Sequence, residues 1–253
     1  MAVIWTGDID GQSVEVRSAG QSRRLYTEGV FHSQYNPRRP LTGSVWDLLM
    51  LPAFFHQQTP RRVLVLGVGG GTVIHLIEQF VDPVSITGVE LHALHLSIAR
   101  RHFHLNQTRA QLICADAVEW VQQYRGTPFD LVIEDLYGGV DGEPVRSVAA
   151  NAGWFKALLR LVSDDGTLVM NFTDREQLQR AAYFTNQSVA RRFANSFALT
   201  TPGFENHVAA FLRYPSNGQQ LRTRLRRQPG LDYQRANCPL NFRIRRLRQV
   251  GSG

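Results

Sequence analysis

Short runs of alternating apolar and polar residues open the chain, at positions 3–5, 13–17 and 24–27, with Gly7-Asp8 and Ala19-Gly20 as turn signals between them. This pattern predicts a small β-hairpin unit over residues 1–43, punctuated at its end by Pro37, Pro40 and Gly43. Residues 45–55 switch to helical spacing, with Trp46, Leu49 and Met50 on one face. From residue 62 onward the order becomes strand, glycine turn, helix, strand. The unbroken apolar run Val63-Leu64-Val65-Leu66 reads as a strand covered on both sheet faces. Strands are predicted at 63–66, 85–89, 111–114, 130–133 and 167–172, and helices at 73–81, 93–104, 118–124, 154–161 and 176–184. A long loop follows 130–133, and residues 189–194, 197–200 and 207–213 are expected to supply the remaining edge. Strands alternating with helices imply right-handed parallel crossovers, hence an α/β doubly wound sheet over 44–214. Residues 215–253 form an arginine-rich, partly helical tail.

Composition changes this picture only at the tail. The chain of 253 residues is 43% hydrophobic and 19% charged, ordinary values for a packed domain. Its net charge of +7 resembles a nucleic-acid signal until it is located. Residues 216–253 hold nine arginines and one acid, Asp232, so this segment carries +8 and the rest about −1. Such a tail could hold phosphates, but a solvated helix with its leucines packed down is the favoured reading, and nucleic acid is not the expected partner. No apolar run approaches the ~18 residues of a membrane span, and no basic-then-apolar leader follows Met1. Two cysteines, Cys114 and Cys238, cannot build a disulfide framework. The expectation is a soluble, cytoplasmic protein with no membrane partner and no metal site. His92, His95, His102 and His104 cluster in sequence without one helical spacing that would join them around a metal.

The strongest chemical signal is Gly67-Val68-Gly69-Gly70-Gly71-Thr72, directly after a buried strand and opening a helix. Glycines let the backbone turn sharply and a ligand approach closely, and the helix start behind them favours negative charge. Glu90 ends the next predicted strand, 19 residues after Gly71, where an acid can accept both hydroxyls of a ribose. The pair fits a dinucleotide or an adenosyl-sulfur ligand; Thr72 stands where the dinucleotide fingerprint wants a third glycine. Asp116 and Asp135 follow the third and fourth strands, Asp116 placed to face an adenine amino group. Each acid alone reads as a helix cap or a solvated loop residue. Three in sequence after the glycine turn read as a binding set for an adenosyl-sulfur compound.

Residues 62–172 resemble the spermidine-synthase-like branch of the S-adenosylmethionine-dependent methyltransferase superfamily. The resemblance rests on Val63 through Gly71, Gly88-Val89-Glu90-Leu91, Ala115-Asp116-Ala117, Phe129 through Asp135, and Val169-Met170-Asn171-Phe172. Arg24 through Val30 looks like the end of that family's amino-terminal β-domain. It implies a Rossmann-like, methyltransferase-type fold, a dimer, and S-adenosylmethionine or decarboxylated S-adenosylmethionine as donor. By the same resemblance, Gly67, Gly69 and Gly71 line the amino-acid or aminopropyl end, Glu90 takes the ribose, and Asp116 with Ala117 the adenine. Asp135 matches the first aspartate after the fourth strand and doubles as the candidate catalytic acceptor, with Tyr137 shaping the acceptor site. His32 stands in for an expected glutamine, with Gln34 close by, and Asp141 adds negative charge in the long loop. The family's second aspartate, three residues after the first, is Gly138 here.

That departure directs the expected function. The chain reads as a transferase using an adenosyl-sulfonium donor, inclined to methyl transfer onto a small amine or protein side chain. Polyamine aminopropyl transfer is the close alternative, and a non-catalytic nucleoside-binding protein is the alternative of another class.

Overall fold

The computed structural model describes residues 1–140 and 142–248. Four strands, β1 (Ala2–Ile9), β2 (Gln12–Ala19), β3 (Ser22–Thr27) and β4 (Val30–Tyr35), form an antiparallel meander in that order. Two of its turns are dipeptides with both residues at positive φ, Asp10-Gly11 and Glu28-Gly29, the twist that matches flanking strands. The expected turn at Gly7-Asp8 lies inside β1 instead. Gly7 is there because the Trp5 indole lies over it, 2.2 Å from where a Cβ would stand. β4 has no apolar alternation strong enough to be read from sequence.

After this sheet, helix α1 (Val45–Met50) is buried along its whole length. Its Asp47 accepts the Thr42 and Gly43 N–H groups at 2.9 and 2.7 Å, which orders the preceding turn. The second unit then alternates β5 (Arg62–Leu66), α2 (Thr72–Phe80), β6 (Ser85–Glu90), α3 (Ala93–His102), β7 (Gln111–Cys114), α4 (Ala117–Gln123) and β8 (Phe129–Glu134). What read as a loop is a hairpin, β9 (Tyr137–Val140) paired with β10 (Glu143–Arg146). There follow α5 (Ala152–Leu159), β11 (Val162–Phe172), α6 (Arg175–Arg180), α7 (Ala182–Thr185), α8 (Gln187–Ala190), β12 (Asn195–Thr200), β13 (His207–Leu212), α9 (Gly218–Arg227) and β14 (Arg243–Arg246).

The helix expected over 176–184 breaks in two at Ala181, whose backbone is extended (ψ 150°) so that Tyr183 can enter the core. Residues 189–194, expected as a strand, begin in α8, with Asn186 capping the helix through the Ser188 and Val189 N–H groups. The eight-stranded sheet runs β14-β12-β13-β11-β8-β5-β6-β7, parallel from β11 to β7 and antiparallel beyond. Alternate residues of β5 feed opposite layers: Val63 and Val65 meet α1, α2 and α9, whereas Leu64 and Leu66 meet α4 and α5. Sequence order reverses between β5 and β8, and the crevice outside their carboxyl ends is the expected ligand site of such a sheet.

The arginine-rich segment belongs to this body. Leu221, Leu225 and Leu231 are fully buried in the same core as Val63 and Ile74, and β14 pairs with β12. Asn217 and Gln220 close a capping box at the start of α9. No helix among the described residues is long and apolar enough to cross a membrane. Truncating Leu225 to Ala should cost about 2–5 kcal/mol of stability, read by urea denaturation. Arg226→Ala, one residue on and exposed, should stay within about 0.5 kcal/mol.

Candidate functional site

The crevice at the strand ends is a cavity of about 500 Å³. The glycine turn and Glu90 form one wall, Asp116 and Ala117 one end, Asp135 to Gly139 another wall, and His32 with Trp46 the side toward the N-terminal sheet. Glu90 organises the first wall. Its buried carboxylate accepts the Val68 and Gly69 N–H groups at 3.0 and 2.9 Å on one oxygen. The other oxygen faces the His92 N–H at 3.1 Å and His95 Nδ1 at 3.2 Å. Burial works against the charged carboxylate, but the bonds from His95 and the backbone outweigh it and hold its pKa near 2. His95 Nε2 in turn meets the Thr27 hydroxyl at 3.2 Å, joining the N-terminal sheet to the wall.

The turn's glycines answer to the protein before any ligand. Gly67, at φ +86°, passes so close to the Asp135 carbonyl that a Cβ would stand 2.1 Å from its oxygen. Gly71, also at φ +86°, caps α2 beneath Leu105 and does not line the cavity, unlike Gly67 and Gly69. Gly70 donates its N–H to the Ser33 hydroxyl at 2.7 Å, a second tie to β4.

On the opposite wall Asp135 accepts the Asn171 amide at 2.8 Å. Burial, with the neighbouring Glu134 carboxylate adding to it, overcomes that bond and pushes the Asp135 pKa up to about 6. Tyr137 presents its ring to the cavity while its hydroxyl donates to the Asn171 carbonyl at 2.8 Å. Burial raises its pKa, so it remains a neutral phenol. The hairpin is anchored by Arg146, which pairs with the fully buried Glu134 and donates to the Asn171 carbonyl. Trp154 Nε1 reaches the other Glu134 oxygen at 3.4 Å.

Among the residues read from sequence, Gly67, Gly69, Glu90, Asp116, Ala117, Asp135, Tyr137 and His32 converge on this cavity. Asp116 also caps α4, its Oδ1 accepting the Val118 and Glu119 N–H groups at 2.7 and 3.0 Å. Gln34 is not brought in. Its side chain accepts from Arg24 Nε at 2.9 Å, and its backbone brackets the Thr72 hydroxyl. Asp141 lies outside the described residues. His32 Nε2 is buried with no partner among the described residues, and burial next to His95 lowers its pKa to about 4. It therefore faces the cavity as a neutral imidazole. Sequence reading missed Trp46, Ser33, Asn171, Phe204 and Asn206, all of which line the cavity. Only Asn171 left a signal, a polar residue at the end of an otherwise apolar strand. No three His, Cys, Asp or Glu side chains among the described residues are grouped to hold a metal ion.

The Asp135 carboxyl keeps its proton to about pH 6 when folded, against a reference pKa of 3.8. Between those values the folded state binds the extra proton. Its stabilising contribution is full below the lower value and lost as pH rises through the upper one. Asp135→Asn should therefore gain stability relative to wild type as pH climbs from about 4 to about 7. Urea denaturation of both proteins across that range checks it; a pH-independent difference would mean the carboxyl is solvated.

The profile of the spermine/spermidine synthase domain matches residues 46–218. Polyamine aminopropyltransferase 2 of Caldanaerobacter subterraneus is 29% identical over 130 residues, covering 50% of this chain and 43% of that protein. Polyamine aminopropyltransferase of Aeropyrum pernix is 22% identical over 213 residues, covering 81% of this chain and 66% of that one. The chain thus spans between two-fifths and two-thirds of the length of these relatives. A probable spermidine synthase structure from Corynebacterium glutamicum superposes with a TM-score of 0.71 at 17% identity, over 89% of this chain and 88% of that one, a likeness of fold. With β5 to β13, the glycine turn and the strand-end acids inside the matched segment, the chain belongs to the spermine/spermidine synthase domain family.

Proposed function

We propose that the cavity holds decarboxylated S-adenosylmethionine and that the chain transfers its aminopropyl group to an amine. This reverses the expected inclination toward methyl transfer. The observation that carries it is the state of the glycine turn. The N–H groups of residues 67 to 71 already donate to Val89, Glu90, Glu90, Ser33 and Val68 respectively. None of the five is left for a donor carboxylate, and no Lys or Arg lines the cavity among the described residues. The named activity of the relatives supports the same choice.

Bound there, the sulfonium supplies a carbon already activated by a good leaving group. The protein's part is alignment and proton handling. Glu90, ionised at any pH near neutrality and already met by four protein donors, sets the wall beside the ribose, and Asp116 with Ala117 meets the adenine. Asp135 faces the attacking amine. A carboxylate whose pKa sits near 6 is a better proton acceptor than an ordinary one, and the amine must lose a proton to attack. Tyr137, its hydroxyl engaged, orients the acceptor by ring contact alone.

The acceptor wall is otherwise uncharged among the described residues: Trp46, Leu136, Ser147, Val148, Phe204 and Asn206. A Cβ at Gly138 would meet nothing closer than the Ser147 hydroxyl at 3.8 Å, so a larger side chain fits there. Gly138→Asp should raise kcat/KM for a diamine over a monoamine by about tenfold, one charge-assisted contact. Asp135→Asn should lower kcat about 10²–10⁴-fold. Calorimetric titration tests the donor: decarboxylated S-adenosylmethionine and methylthioadenosine should bind at least about tenfold tighter than S-adenosylmethionine and S-adenosylhomocysteine. The reverse order would return the reading to methyl transfer, and no binding would remove the adenosyl-sulfur site.

A further inference from the structure

The arginines that set the chain's charge take no part in the cavity, but the fold gathers them elsewhere. Arg38 and Arg39 follow β4, and Arg226 and Arg227 occupy the last turn of α9. Far apart in sequence, these two pairs line one groove of about 1270 Å³, together with Arg235. All five are exposed. The groove's acid, Asp232, is paired with Arg235 at 3.1 Å. Among the described residues no carboxylate is in ion-pair reach of Arg38, Arg39, Arg226 or Arg227. The side-chain amides of Gln34, Gln79 and Asn237 also line it, while those of Asn36 and Gln228 donate within the protein, to the Ser22 hydroxyl and the Phe80 carbonyl. The other arginines of α9 are differently employed. Arg222 lies over the Phe242 ring at 5.3 Å, and Arg224 reaches the Phe54 carbonyl at 3.5 Å. The helix thus splits its charges between packing and this groove.

We propose that the groove binds the phosphate backbone of single-stranded nucleic acid, without reading sequence. Four guanidiniums lining one groove without a carboxylate partner among the described residues repel one another, and a chain of phosphates relieves that repulsion while releasing counterions. A single small anion does not match the arrangement, because the arginines are exposed and spread along a groove rather than closed around one point. An acidic peptide would need an apolar anchor. The groove's large apolar side chains, Leu41 and Phe80, are only 8% and 7% exposed. The same lack of an exposed aromatic ring removes any platform for base stacking, which leaves backbone contact alone. A concave groove suits a flexible strand; a duplex, convex and stiff over about 150 base pairs, would touch only its rims.

Fluorescence anisotropy of the full chain with a labelled oligo-dT, and with oligo-U, across a salt series tests this. About four phosphate contacts predict a slope of log K against log salt near −2.8, at dissociation constants of about 10⁻⁴–10⁻⁶ M at physiological salt. Removing Arg226 and Arg227 together, or Arg38 and Arg39 together, by alanine should flatten that slope by about 1.4 each. Arg191→Ala with Arg192→Ala removes the same charge from exposed residues beside α8, which packs on the other face of the sheet. That control should leave the slope unchanged, and all three double variants should keep the wild-type thermal midpoint. The proposal is overturned by absence of binding at low salt, by an equal loss in the control pair, by a duplex bound as tightly as the single strand, or by polyglutamate competing as well as the oligonucleotide.

Discussion

The Glu90 carboxylate is the interaction on which the rest of the site depends. It ends β6 inside the protein, and such a charge persists there only if its oxygens are fully engaged. Its donors come from the glycine turn after β5 and the start of α3. Through His95 and Thr27 the same network reaches the N-terminal sheet. One buried acid therefore helps to set the relative position of three pieces, together with the Gly70–Ser33 and Gln34–Thr72 hydrogen bonds. The turn is held in the conformation that makes the cavity wall, and the wall is preorganised by contacts whose full cost is met in folding. Deleting such a partner leaves buried N–H groups unpaired, so the acid is structural whatever it meets in the cavity.

Glycine at positions 67 and 71 follows from the same close construction. A side chain at 67 would collide with the backbone of β8's continuation, and one at 71 with Leu105. The glycine turn is usually read as space for a ligand, but in this chain the protein's own atoms, the Asp135 backbone and the Ser33 and Leu105 side chains, already occupy much of that space. What distinguishes a ligand-bearing turn from a merely tight one is then the company it keeps. Here the acids at the ends of three successive parallel strands provide it.

Much of this was legible in sequence because a parallel sheet writes itself as continuous apolar runs, with polar residues appearing only at the strand ends where the crevice lies. Val63 to Leu66 stand out on that ground, and Glu90, Asp116 and Asp135 stand out once they are set beside the glycine turn. The residues that escaped notice reach the cavity by tertiary routes. Trp46 comes from a helix buried on all sides, so no amphipathic stripe marks one face as special. Asn206 and Phe204 lie on the connection between β12 and β13, and nothing local says that this loop reaches the cavity, where Asn206 donates to the Asn171 side chain of β11. The β9–β10 hairpin hid behind its glycines, which signal a loop; its order comes instead from Arg146 reaching the buried Glu134, a pairing no local pattern encodes. Gln34 was misplaced for the opposite reason. It is two residues from His32, but β4 sends the two side chains to different surroundings, His32 to the cavity and Gln34 to Arg24.

Charge is sorted by the fold as strictly as hydrophobicity. The cavity presents three carboxylates and the neutral His32 imidazole among its described lining, and no Lys or Arg; the groove at α9 presents five arginines around one paired acid. The proposed sulfonium donor and amine acceptor would both arrive as cations, so a wall free of guanidinium avoids repelling either, and a low dielectric makes that exclusion count for more than it would in water. The same amino-acid composition distributed evenly would weaken both surfaces. The basic segment therefore does not contradict the cation-binding site proposed for the same chain. Its helix carries two leucines into the core with the arginines outside, which fixes the positive charge on the exterior and leaves the crevice at the strand ends to the acids.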